Sequence, residues 1–158
     1  MNVPLTLRPA RLEEIVEECL GDAAAALAHK SLSVTRQIAE GLQEYPLDRA
    51  LLREAIGILI IEAINGSDPV ARLRVTIKSN QNALMLSVKT SGHGFNEVER
   101  EILFTGEPAA GTLARVRAIV VAHGGATWAN GAAGLGTTYY ISLPAIPGTA
   151  AAGASARS

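Results

Sequence analysis

Residues 51–65 read LLREAIGILIIEAIN, and the packing of that stretch decides the fold. It contains no proline, and its Ala, Leu and Glu residues favour helix while its Ile residues are indifferent. Apolar side chains fall at positions 51, 52, 55, 56, 58–61, 63 and 64, more than the single stripe of a surface helix needs. Such a helix is buried around most of its circumference, yet it is too short to span a bilayer. Other elements must therefore wrap it, with Ile61, Ala63 and Ile64 expected among the buried contacts. Its polar exceptions Glu54 and Glu62 share one face with Ile58, and Asn65 lies close to it. A buried carboxylate needs a partner, a metal or a water-lined cleft. Two readings stay open for Glu62. It snorkels to water or to a base such as Arg115 or Lys89, or its face lines a site.

The whole chain, 158 residues with 48% apolar and 4% aromatic content, suits one domain with an aliphatic core. A net charge of -1, with no basic run and no basic-aromatic interleaving, argues against a nucleic-acid partner. The single cysteine, Cys19, excludes a disulfide framework and a cysteine-rich metal site, and suits a reducing compartment. The opening MNVPLTLRPARLEE lacks the apolar core of a signal peptide. No apolar run reaches membrane-spanning length, so the expectation is a cytoplasmic protein or an excised cytoplasmic domain.

Outward from the central helix, Asp48 stands where an N-cap belongs and Gly66-Ser67-Asp68-Pro69 supplies stop chemistry. Before it, residues 3–7 alternate as a short edge strand would. Leu12, Ile15, Val16, Cys19, Leu20, Ala23 and Leu27 recur at helical spacing over 11–28. Residues 33–38 read as a strand and 41–46 as a loop. After the central helix, 72–78 and 83–89 alternate around a turn at 79–82, predicting an antiparallel hairpin. A glycine-rich break, Thr90-Ser91-Gly92-His93-Gly94-Phe95, precedes a short helix over 96–103 and a loop over 105–111. Residues 113–122, LARVRAIVVA, form a second apolar helix closed by His123-Gly124-Gly125. Residues 126–130 and 137–143 pair as a last hairpin. The small-residue segment 145–158 reads as a disordered tail behind one domain spanning 1–144. The expected architecture is an α/β two-layer sandwich: a mixed, mostly antiparallel sheet covered on one face by about three helices.

This order and three pieces of text resemble the ATP-binding domain of sensor histidine kinases, the fold shared with gyrase-type and chaperone-type ATPases. The run VRAIVVAHGGATWANGAAGLGTTYYISLP is similar to the family's helix, His-Gly-Gly turn, Gly-x-Gly-Thr hairpin and closing strand. LEEIVEECLGDAAAALAHKSLSVT resembles its first helix and strand, and VKTSGHGFNEVE stands at its first glycine box. The resemblance covers roughly residues 9–144. It implies that ATP sits between the central helix and a lid. An Asp opening the first glycine box takes the adenine amino group, and an Asn on the central helix holds magnesium. A Gly-x-Gly-Leu loop approaches the phosphates through backbone amides.

Residue by residue, the carry-over meets substitutions. The magnesium-holding Asn corresponds to Glu62, the Asn one turn earlier to Ile58, and the adenine-reading Asp to Thr90. The phosphate loop corresponds to Ala110-Gly111-Thr112-Leu113, and the stretch from Gly94 to Leu113 is short for a lid. The positions matching the family's nucleotide site are thus Glu62, Asn65, Thr90, Gly92, Gly94, Gly111, Thr112 and Thr137, with Gly136-Thr137 retained. Losing a charge-assisted hydrogen bond to the base costs about 1.5–3 kcal/mol. An ionised Glu62 roughly 4 Å from a phosphate would be repelled by about 4 kcal/mol per charge at an effective dielectric near 20. Magnesium would offset that repulsion, since carboxylates ligate it.

The leading expectation is a degenerate ATPase domain that binds a sensor kinase or a response regulator in a phosphorelay, with no cofactor and no catalytic residue. The alternative is a divergent active domain that binds ATP and Mg and phosphorylates a histidine elsewhere. The helical hairpin carrying that histidine in complete sensor kinases is not recognisable here. A homodimer is left open. His29 reads as an exposed helix-end group, His93 as a solvated loop residue, His123 as part of the structural turn, and Trp128 as sheet packing. No two histidines show metal-ligand spacing near a carboxylate.

Overall fold

The computed structural model describes residues 3–80, 82–92, 94, 96–131 and 136–144. Its elements in chain order are β1 (Arg8–Ala10), α1 (Leu12–Asp22), α2 (Ala24–His29), β2 (Ser33–Ile38), β3 (Tyr45–Leu47), α3 (Arg49–Asn65), β4 (Arg72–Asn80), β5 (Ala83–Thr90), α4 (Glu97–Ile102), α5 (Leu113–Ala122), β6 (Ala126–Asn130) and β7 (Thr137–Pro144). The five long strands form one sheet in the order β2-β4-β5-β7-β6. Only the β2–β4 pairing is parallel, so the sheet is mixed and mostly antiparallel, as the sequence pattern predicts.

Alternation decides which face is buried. Leu73, Val75 and Ile77 of β4, Leu84, Leu86 and Val88 of β5, and Tyr139, Ile141 and Leu143 of β7 are buried. The residues between them form the other, open face. Against the buried face lies α3, whose Leu52, Ile56, Leu59, Ile60 and Ile64 are almost completely enclosed. Val116, Ile119 and Val120 of α5 and Ile15, Val16 and Cys19 of α1 complete the core from either side. One aliphatic layer between helices and sheet thus supplies the hydrophobic stabilisation.

Asp48 organises the start of α3. Its Oδ1 accepts from the Leu51 amide at 3.0 Å and its Oδ2 from the Thr6 amide at 2.8 Å. The Asp48 amide in turn donates to His123 Nε2 at 3.1 Å. That bond requires the neutral ring to carry its proton on Nδ1, which faces the Ile119 carbonyl at 2.9 Å. His123 therefore fastens the end of α5 to the start of α3, the structural role expected of it. At the other end of α3, the Lys30 ammonium donates to the carbonyls of Ile64, Asn65 and Ser67 at 2.8–2.9 Å. A cation there meets both the orphan carbonyls and the negative end of the helix dipole.

Three local expectations are corrected. Residues 3–7 form no strand; β1 begins at Arg8 and pairs with β3, inside the stretch read as loop. Pro9 faces Pro46 in that register, and two residues without N–H groups suppress any strand signal. The first helix is two: α1 stops at Asp22 and Ala23 turns its backbone (ψ 5°) before α2 begins. Ile61 is not a core residue but 39% exposed, because it sits on the rim of a cleft beside α3. The predicted tail over 145–158, His93 and the centres of both predicted turns lie outside the described residues.

Candidate functional site

The eight positions singled out in the sequence fall into two places. The first is the junction where α3 ends, β5 ends and β7 begins. Thr90 is paired in register with Thr137, and the two are 3% and 6% exposed. Gly136, with φ +88°, lies so close to this pair that a Cβ there would come 2.4 Å from the Thr90 carbonyl oxygen. Gly92 bridges to Ser67, and a Cβ on it would stand 2.1 Å from the Gly66 carbonyl oxygen. The Asp68 amide donates to the Ser91 carbonyl at 3.0 Å and closes the same corner. Glycine is required at both points by backbone contact. Asn65 is exposed beside this junction, and its carbonyl is one of those held by Lys30. Gly94, at φ +73°, follows it in the chain.

The second place is a cleft of about 320 Å³ between α1, α3 and the loop before α5. It is lined by Cys19, Asp22, Ala23, Gly57, Ile58, Ile61, Glu62 and Gly111. Gly111 adopts φ +83°, and Thr112 caps α5: its hydroxyl accepts from the Arg115 amide at 3.1 Å and donates to the Ala109 carbonyl at 2.6 Å. Glu62 and Gly111 therefore share one cavity, whereas Thr90, Gly92 and Thr137 belong to the junction.

Glu62 is half-buried and lines the cleft, and of the alternatives left open for it, pairing with Arg115 or Lys89 does not occur among the described residues. Arg115 instead grips Glu54, two turns earlier, through Nε to Oε2 at 2.7 Å and Nη2 to Oε1 at 3.0 Å. The antiparallel packing of α5 on α3 explains this: the contact of His123 with Asp48 at one end sets Arg115 opposite Glu54. That fork holds the Glu54 carboxyl below its ordinary range, through the hydrogen bond first. Among the described residues Glu62 makes no ion pair, and neither does Lys89. The neighbour that sequence reading missed is Tyr139 on the buried face of β7. Burial, reinforced by the Glu62 charge, pushes its phenol up to about 12. The strict alternation of β7 placed Tyr139 on that face; only the tertiary fold placed it near Glu62.

The donor set decides what this cleft accepts. Its charged lining groups are two carboxylates, Asp22 and Glu62, and Asp22 already accepts from Arg53 Nη2 and Nε at 2.9–3.1 Å. The rest of the lining is apolar, including the Cys19 thiol, which burial pushes up to about 12. A triphosphate needs cations or converging amides, and Thr90, the position expected to meet the base, is neutral and enclosed. No lining residue of this cleft is a cation. No group of three or more His, Cys, Asp or Glu side chains among the described residues is arranged to hold a metal.

Comparison with known proteins gives the relatives. The family model described as histidine kinase-, DNA gyrase B-, and HSP90-like ATPase matches residues 47–147. The methanogenesis regulatory histidine kinase FilI of Methanothrix harundinacea (strain 6Ac) is 28% identical over 141 residues, covering 83% of this chain and 16% of that protein. The adaptive-response sensory kinase SasA of Synechocystis sp. is 27% identical over 152 residues, covering 87% of this chain and 39% of that protein. The chain thus spans well under half the length of either kinase. The catalytic domain of the histidine kinase ThkA superposes with a TM-score of 0.81 at 17% identity, over 90% of this chain and 98% of that one. ThkA in complex with the response regulator protein TrrA gives 0.79 at 18% identity, over 89% and 42%.

Proposed function

The chain belongs to the family of histidine kinase-, DNA gyrase B- and HSP90-like ATPases, and from that membership we propose a degenerate histidine kinase-type domain that works as a protein-binding, regulatory module in a phosphorelay without using ATP. Its functional unit is residues 1–144, and its partner is a sensor kinase or a response regulator. The observation that carries this reading is the cleft beside α3. At the two positions corresponding to the family's metal and phosphate contacts, Glu62 and Gly111, it offers carboxylates and apolar groups to a ligand that carries several negative charges. The enclosed Thr90, in place of a carboxylate, removes the base contact as well. The ThkA complex with TrrA supports the choice of partner class by analogy of fold alone.

One observation favours the second reading, an active domain that phosphorylates a histidine in trans. Glu62 is free of ion pairs among the described residues and borders the cleft, so its carboxylate is available to a magnesium ion. Thermal melting with a non-hydrolysable ATP analogue and magnesium separates the two. A ligand at a thousandfold excess over its Kd adds about 4 kcal/mol to the folded state, or roughly 8–16 °C in a chain of this size. The expected result is no shift at millimolar nucleotide. A midpoint that climbs and saturates at micromolar nucleotide would establish the active domain instead.

A further inference from the structure

The face of the sheet turned away from the helices carries a charge pattern that the nucleotide-site residues do not explain. None of the chain's 15 acidic residues lies in the five strands of the main sheet, whose sequences are SVTRQI, RLRVTIKSN, ALMLSVKT, ATWAN and TTYYISLP. Of the cations in those strands, Arg36 points to the helical side, where it meets Glu17. The other four, Arg72, Arg74, Lys78 and Lys89, alternate onto the open face, and all are exposed. Arg74 and Lys89 are direct cross-strand partners. Arg72 follows on the same face of β4, and the three line a pocket of about 200 Å³ with Thr90 and Ser91.

Like charges placed directly opposite on a sheet destabilise it, and here nothing among the described residues pairs with them. None of the four cations forms an ion pair or a side-chain hydrogen bond among the described residues. Asp68 is held nearby through its backbone bond to Ser91, yet it makes no ion pair with them. The strand on the far side offers only Ser33, Thr35 and Gln37 in register with Arg72, Arg74 and Thr76. One row along, Ser87, Tyr140 and Trp128 continue the same face, with the two rings stacked at 5.1 Å between centroids. Neighbouring strands are about 4.8 Å apart, so the cations of β4 and the aromatics reaching to β6 belong to one surface about 14 Å across.

We propose that this open face, centred on Arg72, Arg74 and Lys89, is the docking site for an acidic segment of a partner protein. Charge complementarity selects the occupant: a locally uncompensated positive patch on a chain whose net charge is -1 attracts a carboxylate-rich peptide and orients it. The stacked rings supply the apolar ledge of a protein interface. Single-stranded nucleic acid is less well matched, because the rings stack on each other rather than standing free for bases. The inference specifies a surface for the protein-binding role proposed above and rests on that reading; of the positions matched to the nucleotide site it borders only Thr90, and its cations Arg72, Arg74 and Lys89 are not among them.

The test uses a fluorescent deca-glutamate peptide and anisotropy at low salt. The Arg74→Ser, Lys89→Ser double variant is expected to weaken binding at least tenfold. Arg8→Ser with Arg117→Ser, two cations outside the main sheet, should leave binding within twofold. The double variant should also melt about 1–4 °C higher without ligand, because a repulsion of up to about 1 kcal/mol is removed. Equal binding by wild type and double variant overturns the site, as does a lower midpoint. An oligothymidylate that binds more tightly than the peptide, with the same sensitivity to the double variant, replaces the protein partner by nucleic acid. If the peptide fails to bind while ATP also fails to shift the melt, this surface falls and the nucleotide-independent reading stands.

Discussion

Three single residues give the most direct chemical tests. Cys19 is buried, its thiol donates weakly to the Arg53 carbonyl at 3.4 Å, and its pKa of about 12 leaves almost no thiolate at neutral pH. Ellman's reagent at pH 8 is expected to label it only in denaturant; rapid labelling of the folded chain would show that the cleft beside α3 opens. Lys30 holds three carbonyls at the end of α3. Lys30→Met should lower unfolding free energy by about 1–3 kcal/mol in urea titrations, since those carbonyls lose a charged donor. Glu54 has its folded pKa depressed by Arg115. Its stabilisation is therefore complete above the unfolded carboxyl value, about 4.3, and disappears as pH falls through the folded value. The pair is partly exposed, which limits the effect to about 1 kcal/mol or less. The stability gap between wild type and Glu54→Gln should accordingly be present at pH 7 and close near pH 2. A gap that widened on acidification would exclude the pairing.

At the scale of elements, the central expectation concerns which side of α3 is core. Leu59 is fully enclosed and Ile61 is 39% exposed. Leu59→Ala should cost about 2–5 kcal/mol, and Ile61→Ala less than about 1.5 kcal/mol, by denaturant titration. Sequence pattern alone placed Ile61 among the buried contacts, because a helix apolar on nearly every side hides which edge faces a cleft. The same pattern sufficed elsewhere. The bounds of α5 follow from its apolar run and the closing His123-Gly124-Gly125, and the β4–β5 hairpin follows from strict alternation. What the pattern withheld depends on chain meeting chain: the β1–β3 pair with its facing prolines, the choice of Glu54 over Glu62 by Arg115, and Tyr139 beside Glu62. Thr90, Gly92, Gly136 and Thr137 are singled out through the family resemblance, and what brings them together is backbone contact. Gly92→Ala, which would press a Cβ against the Gly66 carbonyl, should unfold or strongly destabilise the domain; a near-normal melting midpoint would contradict that contact.

At the scale of the whole molecule, the family fold carries, beside α3, a cleft whose charged lining residues are the carboxylates Asp22 and Glu62. A layer of aliphatic side chains holds α1, α3 and α5 on the sheet, and none of those contacts requires a nucleotide. The helical side keeps its carboxylates largely paired with arginines, whereas the open sheet face leaves four cations unpaired among the described residues. Such a division suits a domain that recognises a protein through its surface. No helix among the described residues is long and apolar enough to cross a membrane. The nucleotide-independent reading rests on Glu62 and Thr90 above all other positions. Calorimetric titration of magnesium-ATP into the wild-type chain, beside a Glu62→Asn, Thr90→Asp variant checked for folding by circular dichroism, is the most direct measurement. The expected result is no saturable heat from wild type at millimolar nucleotide and weak, saturable binding by the variant; saturation of the wild-type chain at micromolar nucleotide would contradict the reading outright.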